Sequence, residues 1–84
     1  MKSIPPKFIA VVGKRAEEQA KAIALHFGLN CKHSLKDGMW KMRCSTKAKD
    51  AFYESELSFE STCEEVSSCT GVHIDPDDIR FTYA

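Results

Sequence analysis

The chain has 84 residues, of which 43% are hydrophobic, and its 12 basic and 12 acidic side chains give a net charge of zero. This length and composition predict one small folded domain, and they exclude a disordered chain and a two-domain enzyme with a deep cleft. No apolar run approaches the ~20 residues of a membrane span or the core of a signal peptide. We therefore expect a soluble, cytoplasmic protein with no membrane partner.

The charge is divided between the two halves of the chain. Residues 1–49 contain eleven basic and three acidic residues, a balance of +8. Residues 50–84 contain one basic residue, Arg80, and nine acidic residues, a balance of −8. Two opposed blocks of charge predict two surfaces of opposite potential, so electrostatics should decide where a partner binds.

The first elements predicted along the chain are an arm, a strand and a helix. Pro5 and Pro6 indicate an extended arm over residues 1–6, followed by one domain over residues 7–84. The apolar, β-rich run over 8–12 predicts a central strand buried on both faces. The spacing of apolar residues over 15–27 predicts an amphipathic helix that ends at the following glycine.

A hairpin follows the first helix. Asp37-Gly38 is typical of a two-residue type I′ turn, here between strands over 31–36 and 39–45. Such a turn fixes the register so that paired positions sum to 75, which sets Cys31 opposite Cys44 and Lys32 opposite Arg43. It also turns Trp40 and Met42 towards the core and leaves the other face basic.

The remaining segment predicts mainly helix and a last strand. Residues 46–70 contain no proline or glycine, and we expect helix there, with a kink near 58–61. The alternative is a strand-like stretch over 53–60 followed by a new helix that starts at a capping box over 61–64. After an aspartate-rich turn, alternation over 79–83 predicts a final strand. The order β-α-β-β-α-β predicts an α+β fold, a two-layer ferredoxin-like sandwich with an antiparallel sheet and both helices on one face.

The basic face of the hairpin is the first candidate site. Like charges opposite each other on neighbouring strands cost stability, so their presence favours an anion-binding role. The predicted residues are Lys32, Lys36, Lys41 and Arg43. The only hairpin aromatic is expected to face the core, which favours contacts to nucleic-acid phosphates over contacts to bases.

The acidic block is the second candidate site. Three of its glutamates are spaced four residues apart and would form one stripe on a helix. We expect this surface to bind a larger protein or a nucleoprotein complex, as a decoy that meets its Arg and Lys clefts. The predicted residues are Glu54, Glu56, Glu60, Glu64, Glu65, Asp75, Asp77 and Asp78.

No motif in the sequence predicts catalysis, a metal site or a cofactor. Residues 6–27 and 71–81 resemble stretches of the tautomerase superfamily, whose members use an amino-terminal proline as a base. Pro5 and Pro6 are each preceded by other residues, so we expect no free ring amine and no enzyme. The four cysteines contain no C-x-x-C pair and are expected to stay reduced.

These patterns predict a small non-enzymatic binding protein that covers a charged surface of a larger partner, as an inhibitor or adaptor. In size and charge the chain resembles phage-encoded viral proteins that block a host nucleic-acid machine, the anti-CRISPR proteins among them. One alternative is a nucleic-acid-binding module that uses the basic hairpin face. A second is a self-associating protein, so we expect either a monomer or a homodimer.

Overall fold

The structure, a computed structural model, describes residues 7–53 and 58–82. The predicted arm over 1–6 lies outside the described residues, and so do Glu54 and Glu56 of the predicted acidic surface. The elements in chain order are β1 (Phe8–Val11), α1 (Ala16–Phe27), β2 (Cys31–Ser34), β3 (Met39–Arg43), α2 (Thr46–Tyr53), α3 (Ser58–Thr70), a 3-10 turn (Pro76–Asp78) and β4 (Ile79–Thr82).

The architecture is α+β, with a four-stranded antiparallel sheet in the order β2-β3-β1-β4. β1 is a central strand, as predicted, and Ile9, Ala10 and Val11 are fully buried. Ile9 and Val11 belong to one apolar cluster that includes side chains from all three helices. The helices therefore cover the face of the sheet on which Ile9 and Val11 lie. Ala10 lies on the other face, because neighbouring side chains of a strand point to opposite faces.

Helix α1 confirms the helix predicted over 15–27. Its stripe of small and apolar side chains packs into the core, and Ala20 and Ile23 are fully buried there. Gly28 ends the helix in the left-handed conformation, with a φ of 69°, which a residue without Cβ adopts at little cost. The stripe also contains a residue that apolar spacing did not reveal, the fully buried Gln19.

The predicted register of the β2-β3 hairpin is wrong. The loop contains the four residues 35–38, and it is closed by a bond of 2.8 Å from the Gly38 amide to the Ser34 carbonyl oxygen. A type I′ turn requires positive φ at both central residues, and in this loop Gly38 has a positive φ whereas Asp37 does not. Keeping Asp37 out of the left-handed region avoids a cost of about 1 kcal/mol.

In the observed hairpin, the residue numbers of opposed residues sum to 73 instead of the predicted 75. Cys31 therefore lies opposite Met42 and not opposite Cys44, and Lys32 lies opposite Lys41 and not opposite Arg43. A shift of two residues leaves every side chain on its predicted face, because side chains alternate with period two. Met42 accordingly is buried in the core, as predicted.

Residues 46–53 and 58–70 are helical, as predicted, and they belong to two separate helices. α2 ends at Tyr53 and α3 begins at Ser58, and residues 54–57 lie outside the described part of the chain. The alternative start of a helix at the capping box over 61–64 is wrong. The Thr62 hydroxyl of that box instead donates a hydrogen bond of 2.7 Å to the Ala51 carbonyl, which connects α3 to α2. Within residues 7–53 and 58–82, no helix has both the length and the apolar character needed to cross a bilayer.

Candidate functional site

The face of the sheet turned away from the helices, which we call the open face, carries a row of basic residues. The strand registers align Lys32, Lys41, Ala10 and Arg80 across β2, β3, β1 and β4. Neighbouring strands lie about 4.8 Å apart, so the row extends about 14 Å from one edge to the other. Arg80 thus joins the basic face although it belongs to the acidic half of the sequence.

Ala10 lies in the middle of this row and is fully buried, although it is on the face away from the helical core cluster. Its neighbours in the row are Lys41 and Arg80. Long basic side chains cover apolar surface with their aliphatic stems and keep the charged group in water. We therefore attribute the burial of Ala10 to the stems of its two basic neighbours.

A second row on the open face contains an aromatic residue. Phe8 on β1 is half-buried and lies between Arg43 on β3 and Thr82 on β4. Phe8 is not among the predicted site residues, because the apolar run over 8–12 predicts a strand that is buried on both faces. The signal was its alternation with Ile9, which faces the core. Trp40, by contrast, is on the helix side as predicted, stacked on His33 with centroids 5.2 Å apart.

Two cations of the open face already have partners inside the chain. Lys41 Nζ lies 2.5 Å from Asp37 Oδ2, and this hydrogen bond, reinforced by the charge of the lysine, lowers the pKa of the Asp37 carboxyl. Arg80 Nη1 donates to the carbonyls of Asp77 and Ile79, which draws it towards the 3-10 turn. Both side chains keep further donors for an anion.

The other predicted basic residues differ in position. Lys32 and Arg43 are exposed on the open face. Lys36 is exposed in the loop over 35–38, beyond the end of the strands. The structure therefore brings together three of the four predicted basic residues and adds Arg80 and Phe8.

The described residues of the predicted acidic surface fall into two groups. Glu60, Glu64 and Glu65 are exposed on α3. The aspartates lie in and before the 3-10 turn, where Asp75 is the cap and accepts a bond of 3.0 Å from the Asp77 amide. These aspartates therefore have structural roles, and the partner-binding role that the sequence predicted for them stays a prediction.

Gln19 joins α1 to this turn. Its Nε2 donates to Asp78 Oδ2 at 3.0 Å, and its Oε1 accepts from the Asp75 amide at 2.7 Å. The Asp78 carboxylate also closely approaches Gly13, where an added Cβ would lie 3.3 Å from it. A buried amide with both ends bonded fixes the position of the turn that precedes β4.

A groove of about 480 Å³ lies between α3 and residues 73–76. Its lining includes the apolar side chains of Cys63, Ile74 and Pro76 and the polar side chains of Glu60, Glu64 and Ser68. Burial raises the pKa of the Cys63 thiol to about 11, with further contributions from the charges of Asp75, Glu60 and Glu64. This thiol therefore stays protonated near neutral pH and is a poor nucleophile or metal ligand.

Within the part of the chain that the structure describes, no three His, Cys, Asp or Glu side chains are grouped closely enough to hold a metal ion. The two candidate sites are therefore the open basic face, which includes Phe8 at the start of β1, and the acidic groove on the helical side. Comparison of the chain with protein-family models, with curated proteins and with solved structures finds no significant match.

Proposed function

We propose that this chain is a non-enzymatic binding protein whose open face binds single-stranded nucleic acid. The observation that carries the proposal is the row of Lys32, Lys41 and Arg80 across the sheet, beside a second row in which Arg43 flanks Phe8. Cations bind the phosphates of a strand, and an exposed aromatic ring stacks on a base.

The arrangement of strands supports a ferredoxin-like topology for this protein. β1 and β3 are the central strands, all neighbours are antiparallel, and the helices share one face. In a two-layer sandwich of this kind the second face of the sheet is left for a ligand. As part of the same proposal we place the protein in the cytoplasm, where its four free cysteines would stay reduced.

A single strand fits the open face better than a duplex does. Reading a duplex requires a helix or a β-ribbon that enters the major groove, whereas unpaired bases can lie flat on a sheet. Stacking of one base on an aromatic side chain contributes about 1–3 kcal/mol. The half-buried ring of Phe8, at the start of the inner strand β1, gives one base such a position.

The test is fluorescence anisotropy with a labelled 12-nucleotide single strand of mixed sequence, and with a hairpin duplex for comparison. We expect tighter binding to the single strand and, for three phosphate contacts, a slope of log K against log salt near about −2. The double variant Lys32→Glu/Arg43→Glu should lose most of the affinity. The control Lys47→Glu/Lys49→Glu makes the same change of charge on α2 and should retain it.

The aromatic contact has its own variant. Phe8→Leu keeps an apolar side chain on β1 but removes the ring, so we expect a loss of about five- to a hundredfold in affinity with little change in the salt slope. The proposal is refuted if no strand binds at 20 mM salt. It is also refuted if the control variant on α2 weakens binding as much as the double variant on the sheet.

A protein-binding role through the acidic surface is the second candidate, and it is favoured by the exposure of Glu60, Glu64 and Glu65 on one helix. An inhibitor or adaptor of the anti-CRISPR type would use this surface against a basic cleft of its target. Self-association, with the open face of one copy on α3 of another, stays a prediction. Sedimentation at two salt concentrations tests it, because a mass that does not change with salt contradicts it.

A further inference from the structure

The groove beside α3 is an acidic site with an apolar floor, on the helical side of the molecule. Cys63 and Ile74 at its floor are each 2% exposed, and Pro76 is half-buried at its edge. Glu60 and Glu64 lie one helical turn apart and stand over this floor with exposed side chains. A ligand for the groove therefore needs both a positive charge and a flat or apolar part.

The walls of the groove are fixed by hydrogen bonds. The Ser67 hydroxyl donates a hydrogen bond of 2.8 Å to the Cys63 carbonyl and accepts one of 2.9 Å from the Ile74 amide. This one side chain holds residues 73–76 against α3, and the Gln19 bond to the Asp75 amide holds the same segment from the other side. The groove is preorganised in this way, which lowers the entropy cost of binding.

The negative charge of the groove is concentrated where a ligand would lie. The pKa of the Cys63 thiol is raised mainly by burial, and the carboxylates of Asp75, Glu60 and Glu64 raise it further. His73 also lines the groove, whereas Lys and Arg side chains are absent from its lining among the described residues. Arg15 donates from Nη2 to the His73 carbonyl and from Nε to Glu18, so its guanidinium is already bonded within the chain.

We propose that the groove between α3 and residues 73–76 binds an arginine side chain presented by a basic segment of another protein. A guanidinium offers five donors in one plane, so it can bond two carboxylates at once while its flat face lies on apolar atoms. Phosphate groups of a nucleic acid are repelled by Glu60 and Glu64, so the groove and the open face select different partners. This inference does not depend on nucleic-acid binding by the sheet.

The test is an NMR titration of the ¹⁵N-labelled chain with the blocked tripeptide acetyl-Gly-Arg-Gly-amide. We expect saturable shifts of the Cys63, Ser67 and Ile74 amides, with a dissociation constant in the millimolar range. The Lys tripeptide should bind more weakly, and acetyl-Gly-Glu-Gly-amide should not shift these amides. Shifts that spread over all acidic residues without saturation, or no shifts, overturn the proposal.

Three variants separate a defined groove from an acidic helix. Glu60→Gln/Glu64→Gln should weaken binding about tenfold, which corresponds to about 1.4 kcal/mol. Glu65→Gln removes a charge from the same helix outside the groove and should change affinity less than about twofold. Ser68→Phe keeps both groove charges but fills the space, so it should abolish the shifts. Equal effects of the Glu60/Glu64 and Glu65 changes overturn the proposal.

The same NMR spectra test two other occupants of the groove, a second copy of the chain and a nucleic acid. If a second copy of the chain fills the groove, the Cys63 and Ile74 amides shift with protein concentration when no peptide is present. If nucleic acid fills it, a 12-nucleotide strand moves those amides. Either result overturns the proposal of a protein segment that presents arginine.

Discussion

The amide of Gln19 joins helix α1 to the turn that begins β4, and replacing it should destabilise the whole domain. Gln19→Met keeps a side chain of similar length but removes both hydrogen bonds. One of these bonds is to a backbone amide at 2.7 Å and the other is to the Asp78 carboxylate at 3.0 Å. The residue is fully buried, so water cannot replace the side-chain amide without a rearrangement.

The magnitude follows from the two bonds. A neutral hydrogen bond contributes about 1 kcal/mol net and one to a charged group about 2 kcal/mol, so we expect a loss of about 3 kcal/mol. A chain of 84 residues has a free energy of unfolding of about 4–13 kcal/mol, and the loss is a large part of it. Gln19→Ala should cost a further ~1–2 kcal/mol, because it also leaves a cavity.

The assay is urea denaturation followed by the fluorescence of the single tryptophan, Trp40. The control is Glu18→Met, which makes a similar change one residue away on the exposed side of α1 and should cost less than about 1 kcal/mol. Hydrogen exchange gives an independent measurement, since the Asp75 amide should lose protection in Gln19→Met. If Gln19→Met costs less than about 1 kcal/mol, or no more than the control, the two hydrogen bonds of Gln19 do not stabilise the domain as proposed.

Two further predictions concern titration and thiol chemistry. The pKa of Asp37 is lowered in the folded chain, so its contribution to stability is present above about pH 3.8 and is lost as the pH falls through the lowered value. Lys41→Met should raise this pKa in an NMR titration of the carboxyl group, and an unchanged value contradicts the assignment. The Cys63 thiol, with a pKa of about 11, should react with a thiol reagent at pH 8 only after unfolding, whereas exposed Cys69 should react early. Peptide mapping of the modified chain gives the order in which the two cysteines react. Early modification of Cys63 would contradict the prediction that its thiol is buried in the folded chain.

The elements that sequence predicted well are those with a strong local pattern. The helix α1 and the central strand β1 follow from the pattern of apolar residues, most of which are buried, and the end of α1 follows from Gly28. The faces of β3 also followed from alternation, since Met42 is buried whereas Arg43 is exposed. In each case burial repeats with the period of the backbone, which a single sequence displays.

The elements that sequence predicted poorly depend on choices between conformations of similar free energy. The Asp37-Gly38 pair fits a two-residue turn, but a four-residue loop leaves only Gly38 at positive φ. The salt bridge from Lys41 to Asp37 further favours the four-residue loop. The turn propensities of single residues contain neither of these contributions. Gln19 was missed for a related reason, because a polar residue in an apolar stripe gives no sign of its partners 56 and 59 residues away.

The candidate sites required the tertiary arrangement. Arg80 is the only basic residue after residue 49, and the pairing of β4 with β1 places it in line with Lys41. The acidic residues were predicted as one surface, yet the turn aspartates are bonded within the chain while Glu60 and Glu64 line a groove. Sequence gives the number of charges on each element, whereas strand order decides which charges become neighbours.

The turn over 76–78 connects the two proposed surfaces, because Pro76 lines the groove and the turn leads directly into the strand that carries Arg80. Arg80 donates a hydrogen bond to the Asp77 carbonyl, and Gln19 bonds to Asp75 before the turn and to Asp78 at its end. Gln19→Met should therefore weaken both the oligonucleotide and the arginine peptide at temperatures where the variant is still folded. Lys32→Glu/Arg43→Glu should affect only the oligonucleotide, and Glu60→Gln/Glu64→Gln should affect only the peptide. If Gln19→Met leaves both affinities intact while the domain loses stability, the turn supports the fold but does not position either site.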